Sequence, residues 1–408
     1  MKQLLIIGTV WPEPTSSAAG GRMMQLIQWF QQADWKVCFA CPAAESELSS
    51  LLTDTSIRKE IITLNDPSFD AFISELKPDA VLFDRFMMEE QFGWRVAQHC
   101  PQTLRLLDTE DLHLLRMARH QALKEGRMLK DADLKSEVAK REIAAILRSD
   151  LSLMISSFEM ELLHSVFHID EKLLQYLPIQ VKGPYSFAPS FEERSGFVTI
   201  GNFRHPPNAD AIRYLKSDIW PLIRKVLPDA NMHVYGSYPS PALVQLNHPA
   251  SGFYVHGRAE NALEVMRNAR VCLAPLRFGA GIKGKLLEAM QCGTPSVTTH
   301  IGAEGMQGDL VWNGSICDDA VDFANAAAQL YTSKIDWSAA QAQGKLLLET
   351  HFESDAPAQA FLKRVNDLME QLDSHRLKNF TGSMLMHHTL QSTKYLARWI
   401  EAKNKLSN

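Results

Sequence analysis

Between Phe278 and Val297 the chain reads FGAGIKGKLLEAMQCGTPSV, a run able to hold an anion at one end and hydroxyls at the other. Gly279, Gly281 and Gly284 allow a close backbone approach that a Cβ would block. A helix beginning near Lys283 aims unpaired N–H groups and the positive end of its dipole at that loop. Lys283 and Lys285 add full charges beside it, which makes an anion site. Glu288 then lies about 9 Å along the helix from the loop. That is the separation between the distal phosphate and the ribose hydroxyls of a nucleoside diphosphate, and a carboxylate accepts two hydroxyl hydrogen bonds. Gly293 and Pro295 end the helix. The plain alternative is a strand–loop–helix packing unit with a solvent-facing glutamate.

Two further stretches place basic side chains at strand ends. IGNFRHPPN carries Gly201, Arg204 and His205 ahead of a proline-fixed helix start, and VHGRAEN carries Gly257 and Arg258. Arg204 faces the same anion from the other side or is a surface arginine; His205 joins it or is an ordinary half-buried histidine. Arg258 marks an edge for a base. Other chemistries lack their anchors. Cys38 and Cys41 form a C-x-x-C that ends a strand-like run and has no second ligand pair, so they read as reduced core thiols. The D-x-D at Asp131 and Asp133 falls in a charged helical stretch, and neither H-E-x-x-H nor G-x-S-x-G occurs. Gly279, Gly281 and Gly284 match G-x-G-x-x-G but lie late in the chain. No such motif follows the first strand at Gly8, so a dinucleotide oxidoreductase is disfavoured.

The elements that must position these residues alternate. QLLIIGT, WKVCFACP, DAVLFD, TLRLLDTE and LSLMISS read as strands, with GRMMQLIQWFQQA, AFISELKP and EEQFGWRVAQHC as helices between them. A charged helical stretch runs from Arg116 to about Ser149, read as a solvated face or as a surface for an anionic acceptor or membrane headgroups. The Pro/Gly/Ser-rich segment 181–196 interrupts the pattern, which restarts with FVTIGNF, ANMHVYGS, GFYVHG, VCLAPL and PSVTT as strands. Helical stretches separate these too, NADAIRYLKSDIWPLIRKVL among them. Two α/β units of parallel, doubly wound type therefore face a cleft. Helical segments close the chain, QAFLKRVNDLMEQL and TLQSTKYLARWIEAKNKL. The 408 residues suit two cores, and the net charge of -5 argues against a nucleic-acid binder. No run approaches the ~18 apolar residues of a membrane span. The first strand-like run carries no cleavage site, so a cytoplasmic protein is expected.

PLRFGAGIKGKLLEAMQCGTPSVTT with IGAEGM after it resembles the donor-binding signature of GT-B glycosyltransferases, above all the bacterial group 1 (family 4) retaining class. IGNFRHPPNADAIRYL resembles the opening of the same domain, SSAAGGRMMQLI the glycine loop before the first helix, and LLDTEDLHLLRMAR an Asp-x-x-Asp-x-His-x-x-Arg segment. The resemblance spans residues 1–370 and is specific over 197–306. It implies two Rossmann-like domains facing a cleft: an acceptor-side domain over 1–185, a donor domain over 190–372, and a helical tail over 373–408 crossing back. By this resemblance Glu288 binds the ribose, and the backbone of Gly281, Ile282, Lys283 and Gly284, with Lys283 or Lys285 and Arg204, holds the diphosphate. Gly20 and Gly21 approach from the first domain, Gly201 and Arg258 complete the donor side, and His113 with Asp111 sits by the transferred sugar. The class often carries a second glutamate eight residues before the ribose-binding one, where this chain has Ala280. The expected substrate is a UDP- or GDP-linked sugar, with no cofactor or metal. The expected partner is a carbohydrate, lipid-linked or other glycan acceptor, reached at the inner membrane surface if lipid-linked. Ala280 leaves open a catalytically silent binding or scaffold module of the same fold, and an epimerase would need acid–base residues that are not identified.

Overall fold

The computed structural model describes residues 1–46, 49, 56–183, 189–387 and 399. Among the described residues seven strands form the first sheet: β1 (Gln3–Ile7), β2 (Lys36–Cys41), β3 (Arg58–Ile61), β4 (Ala80–Asp84), β5 (Leu104–Asp108), β6 (Leu151–Met154) and β7 (Leu174–Tyr176). Six form the second: β8 (Phe197–Ile200), β9 (Met232–Tyr235), β10 (Phe253–Val255), β11 (Val271–Ala274), β12 (Ser296–Thr298) and β13 (Gly314–Ile316). The orders are β3-β2-β1-β4-β5-β6-β7 and β10-β9-β8-β11-β12-β13, parallel throughout. Each sheet is doubly wound, as the alternating pattern predicts. The central strands are covered on both faces, which is why β4, AVLFD, is buried at every position.

Strand order reverses between β1 and β4 in one sheet and between β8 and β11 in the other. Ligands of such sheets bind at the carboxyl ends of strands beside a reversal. The helices that follow β1 and β11, Ala18–Gln32 and Gly284–Gln291, start there.

Some expectations need correction. The charged stretch from Arg116 to Ser149 is not one helix. It divides into His113–Lys124, a 3₁₀ turn Asp131–Lys135 and Glu137–Arg148, broken at Gly126, whose φ is 63°. Its arginines are largely paired with acids: Arg127 with Glu125 and Asp133, Arg141 with Glu90, and Arg148 with Glu89. The return to the first domain begins at helix Ala356–Glu370, not at 373. Ala358, Phe361 and Val365 are buried with Leu26 and Phe30 of the first domain, and Phe361 meets Phe30 edge-on at 5.6 Å. Beyond it, Arg376 grips the buried Asp150 through Nε and Nη2, each at 2.8 Å. Nη2 also bonds the Thr103 carbonyl at 2.7 Å. The amphipathic segment 389–406 lies outside the described residues apart from Trp399.

Cys38 and Cys41 are buried in β2 without a disulfide, and burial pushes both thiols up to about 11. They are inert core residues.

Candidate functional site

In the loop after β11, Gly281 takes a φ of 65°, a conformation that favours glycine. The helix Gly284–Gln291 has Lys283 at its N-cap, and the Lys283 side chain does not cap it. Among the described residues, the backbone N–H groups of Lys283, Gly284 and Lys285 make no hydrogen bond. They are the free donors an anion would meet. Ile282 is buried beside Leu286, Leu287 and Met290, so its side chain anchors the loop.

Lys283 is buried and donates to the Gly281 carbonyl at 2.6 Å. Burial pulls it down to about 8, against the fields of Glu304 and Glu159. Lys285 donates to Asn208 Oδ1 at 2.7 Å, and burial pulls it too to about 8. Glu288, one turn on from Gly284, is half-buried and raised to about 7 by burial, with Lys285 pulling the other way. Lys285 and Glu288 stand three residues apart, on one helix face. Gly201 makes room for Asn208, since a Cβ there would lie 2.6 Å from Asn208 Nδ2.

The first domain meets this helix start directly. Gly20 and Gly21 lie inside the first turn of helix Ala18–Gln32, not in a loop before it, and Ser17 Oγ caps the Gly20 N–H at 3.1 Å. A Cβ on Gly20 would come within 2.4 Å of the Glu13 backbone, whereas one on Gly21 would meet nothing within 4 Å. A Cβ on Gly284 would lie 2.6 Å from the Ala18 Cβ, so the two helix starts abut. Beside them, Asp111 pairs with Arg116 and lies 3.5 Å from His113 Nε2. Burial pushes the Asp111 carboxyl up, but Arg116, His113, His205 and Arg85 outweigh it and leave the group below its ordinary value. Burial holds His113 and His205 down at about 4, so both rings are neutral at pH 7.

Residues 194–333 match the family model described as Glycosyl transferases group 1. The second domain is a group 1 glycosyltransferase domain. No curated protein matches the chain. Solved structures of similar fold include a sucrose-phosphate synthase from Thermosynechococcus elongatus, at 17% identity over 92% of this chain and 100% of that one, TM-score 0.66. Anabaena HepE in complex with UDP-glucose aligns at 12% identity over 90% of this chain and 100% of its own, TM-score 0.68. A mutant of S. aureus TarM with UDP among its ligands aligns at 8% identity over 90% and 100%, TM-score 0.69. The whole chain has the GT-B fold, and the family domain makes it a glycosyltransferase.

Within that GT-B cleft the sequence-predicted residues divide. The structure brings together Gly281, Ile282, Lys283, Gly284, Lys285 and Glu288 with Gly201, Gly20, Gly21, Asp111 and His113, and it draws in His205 beside Asp111. Arg204 stays on the exposed rim with its guanidinium 3.8 Å from the centre of the Tyr238 ring, and its side chain makes no bond to the glycine loop among the described residues. Arg258 reaches the first domain instead of a base edge, donating to Thr15 Oγ1 at 3.0 Å. Ala280 is buried among the apolar side chains of the first domain, so a methyl fills its place where a carboxylate would be desolvated.

The cleft also gathers residues that the sequence did not point to. Arg119 forms two bonds to Glu304 across the cleft, at 2.8 and 2.6 Å, and a third to the Gly279 carbonyl at 2.9 Å. His120 stacks on Phe278 at 4.2 Å. Glu142 accepts from the His113 and Leu114 N–H groups at 3.0 and 2.7 Å, and burial lifts it to about 8. Glu159, raised to about 7 by burial and then by Asp111, accepts from Leu112 and Gly281. Glu159 alone carried a sequence signal, an acid in the first turn of a helix, which an ordinary dipole partner would show as well.

Proposed function

We propose that this glycosyltransferase moves a sugar from a UDP- or GDP-linked donor to a hydroxyl of a carbohydrate, lipid-linked or other glycan acceptor, with retention at the anomeric carbon. The observation that carries the reading is one helix start. It offers the Lys283, Gly284 and Lys285 N–H groups and two lysines, with Glu288 one turn further along and the Asp111–His113 turn close by. The UDP-glucose bound to HepE and the UDP bound to TarM support a donor of this class.

Breaking the bond between the anomeric carbon and the diphosphate oxygen leaves negative charge on the phosphate. Preorganised N–H groups and cations act on that charge. Lys283, Lys285 and the free N–H groups supply them, and in this reading they do the work of a metal. Asp111, held ionised by Arg116, opposes the positive charge that develops on the sugar ring. His113, neutral at pH 7, serves as a hydrogen-bonding group rather than as a cation. The new bond forms from the acceptor oxygen to the anomeric carbon, and the acceptor proton passes to the leaving phosphate. A lipid-linked acceptor would bring the chain to a membrane surface without a span, since no described helix is long and apolar enough to cross one.

Calorimetry with UDP and GDP, each beside its 2′-deoxy form, tests the site. Losing a hydrogen-bonded carboxylate costs about 1.5–3 kcal/mol, so Glu288→Ala should bind the preferred nucleotide roughly 10- to 100-fold more weakly. It should also cease to distinguish the 2′-deoxy form. Equal affinities in wild type and variant would remove Glu288 from the ribose.

A further inference from the structure

Glu159 lies in the first turn of helix Ser157–Phe167 in the first domain and is fully buried. Its Oε1 accepts two backbone N–H bonds, one from Gly281 at 2.6 Å and one from Leu112 at 3.3 Å. These donors belong to opposite sides of the cleft. Gly281 is in the loop that leads to the donor helix, and Leu112 lies between Asp111 and His113. Oε2 is buried with no hydrogen-bond partner, so no cation shares the carboxylate directly. The turn does not need Glu159 as its cap, because Glu142 already takes the His113 and Leu114 N–H groups. The approach depends on residue 281 being glycine, since a Cβ there would lie 2.8 Å from the Asp111 Cβ.

The geometry points to Glu159 as a positioning residue for sugar transfer. By holding Gly281 and Leu112 on one oxygen, it sets the spacing between the phosphate-binding helix start and the Asp111–His113 turn. It touches neither phosphate nor sugar and acts through the two backbone segments. The inference rests on the donor reading above. It predicts that nucleotide binding, made by the second domain, survives loss of Glu159, while turnover does not.

The test uses the full chain and three variants, Glu159→Ala, Glu159→Asp and Glu159→Gln. Hydrogen exchange is read at the Gly281 and Leu112 amides, UDP and GDP affinity by calorimetry, and nucleotide release from UDP-glucose and GDP-mannose by kinetics. In Glu159→Ala both amides should lose protection together while β4 and β11 keep theirs. UDP or GDP affinity at pH 7, where Lys283 stays largely protonated, should stay within about twofold, and kcat should fall about 10- to 100-fold, the scale of losing bonds to a charged group. Glu159→Gln keeps an acceptor oxygen at the same reach and should restore both the protection and most of the turnover. Glu159→Asp, one methylene short, should behave as the alanine variant does. Unchanged turnover in Glu159→Ala, or in Glu159→Asp should the alanine variant fail to fold, overturns the assignment. So does a fall in nucleotide affinity matching the fall in kcat. If wild type binds neither nucleotide, the donor reading fails, and exchange at the two amides still decides whether Glu159 joins the two segments.

Discussion

Affinity for a nucleoside diphosphate should fall steeply between pH 7 and pH 9. Lys283 and Lys285 are both pulled down to about 8 by burial, well below an ordinary lysine. Each must be a cation to meet the diphosphate, so the lysine contribution is nearly full at pH 7 and is lost as pH rises through about 8. With a pKa of 8, a lysine at pH 9 is roughly nine-tenths neutral, which weakens binding about tenfold per lysine and about 100-fold for the pair. The terminal phosphate titrates near pH 6 and is ionised across this window. His113 and His205, at about 4, are already neutral there. Calorimetry with UDP and GDP at several pH values, corrected for buffer ionisation, gives the logarithm of Kd against pH. Its slope should approach two above pH 8 in wild type and one in Lys283→Met. Below pH 7 affinity should fall again as Glu288, at about 7, takes up a proton and weakens as a ribose acceptor. A flat profile from pH 7 to 9, or a slope still near two in Lys283→Met, would refute the pairing of both lysines with the diphosphate.

Further tests probe the two interfaces. Gly284→Ala would set a methyl 2.6 Å from the Ala18 Cβ. Overpacking of this kind costs about 1–3 kcal/mol, so turnover should drop roughly 5- to 150-fold, and adding Ala18→Gly in the same chain should recover it. Asp150 is 2% exposed and holds Arg376 and the Arg105 N–H. Removing one partner of a buried pair costs about 3–5 kcal/mol, so Asp150→Ala should lose that much stability in urea unfolding.

How far the sequence carried depended on burial and on distance along the chain. Strands such as β4 are covered on both faces and read as unbroken apolar runs. The edge strand β3, RKEI, is largely exposed, and β7, LQY, and β13, GSI, interrupt their apolar residues with polar or small ones, so none offers an apolar run to detect. The helix start and Glu288 were legible because glycine, lysine and glutamate fall within one local run. Glu159 and Arg119 were not, since their partners stand 122 and 185 positions away and only the docking of the two domains brings them together. Arg204 and Arg258 were placed at the right strand ends, but the side chain each one reaches is set by what stands opposite, Tyr238 for one and Thr15 for the other. Ala280 looked like a missing acid, and only its neighbours show why a methyl belongs there.

The first domain is closed by the last part of the chain, and this sets the order of events at the ribosome. Phe30 meets Trp35 edge-on nearby in the chain, but its other edge-on contact, Phe361, comes more than 300 residues later. At cellular synthesis rates of about 5–20 residues per second, that interval lasts roughly 15–60 s. Throughout it the helix face around Leu26 and Phe30 emerges without its cover, while the core of the second domain, from Phe197 to Phe352, is made as one continuous stretch before that cover. The nascent chain therefore completes its second domain before its first, and that uncovered apolar face is where a holding chaperone would bind or a stalled chain would aggregate.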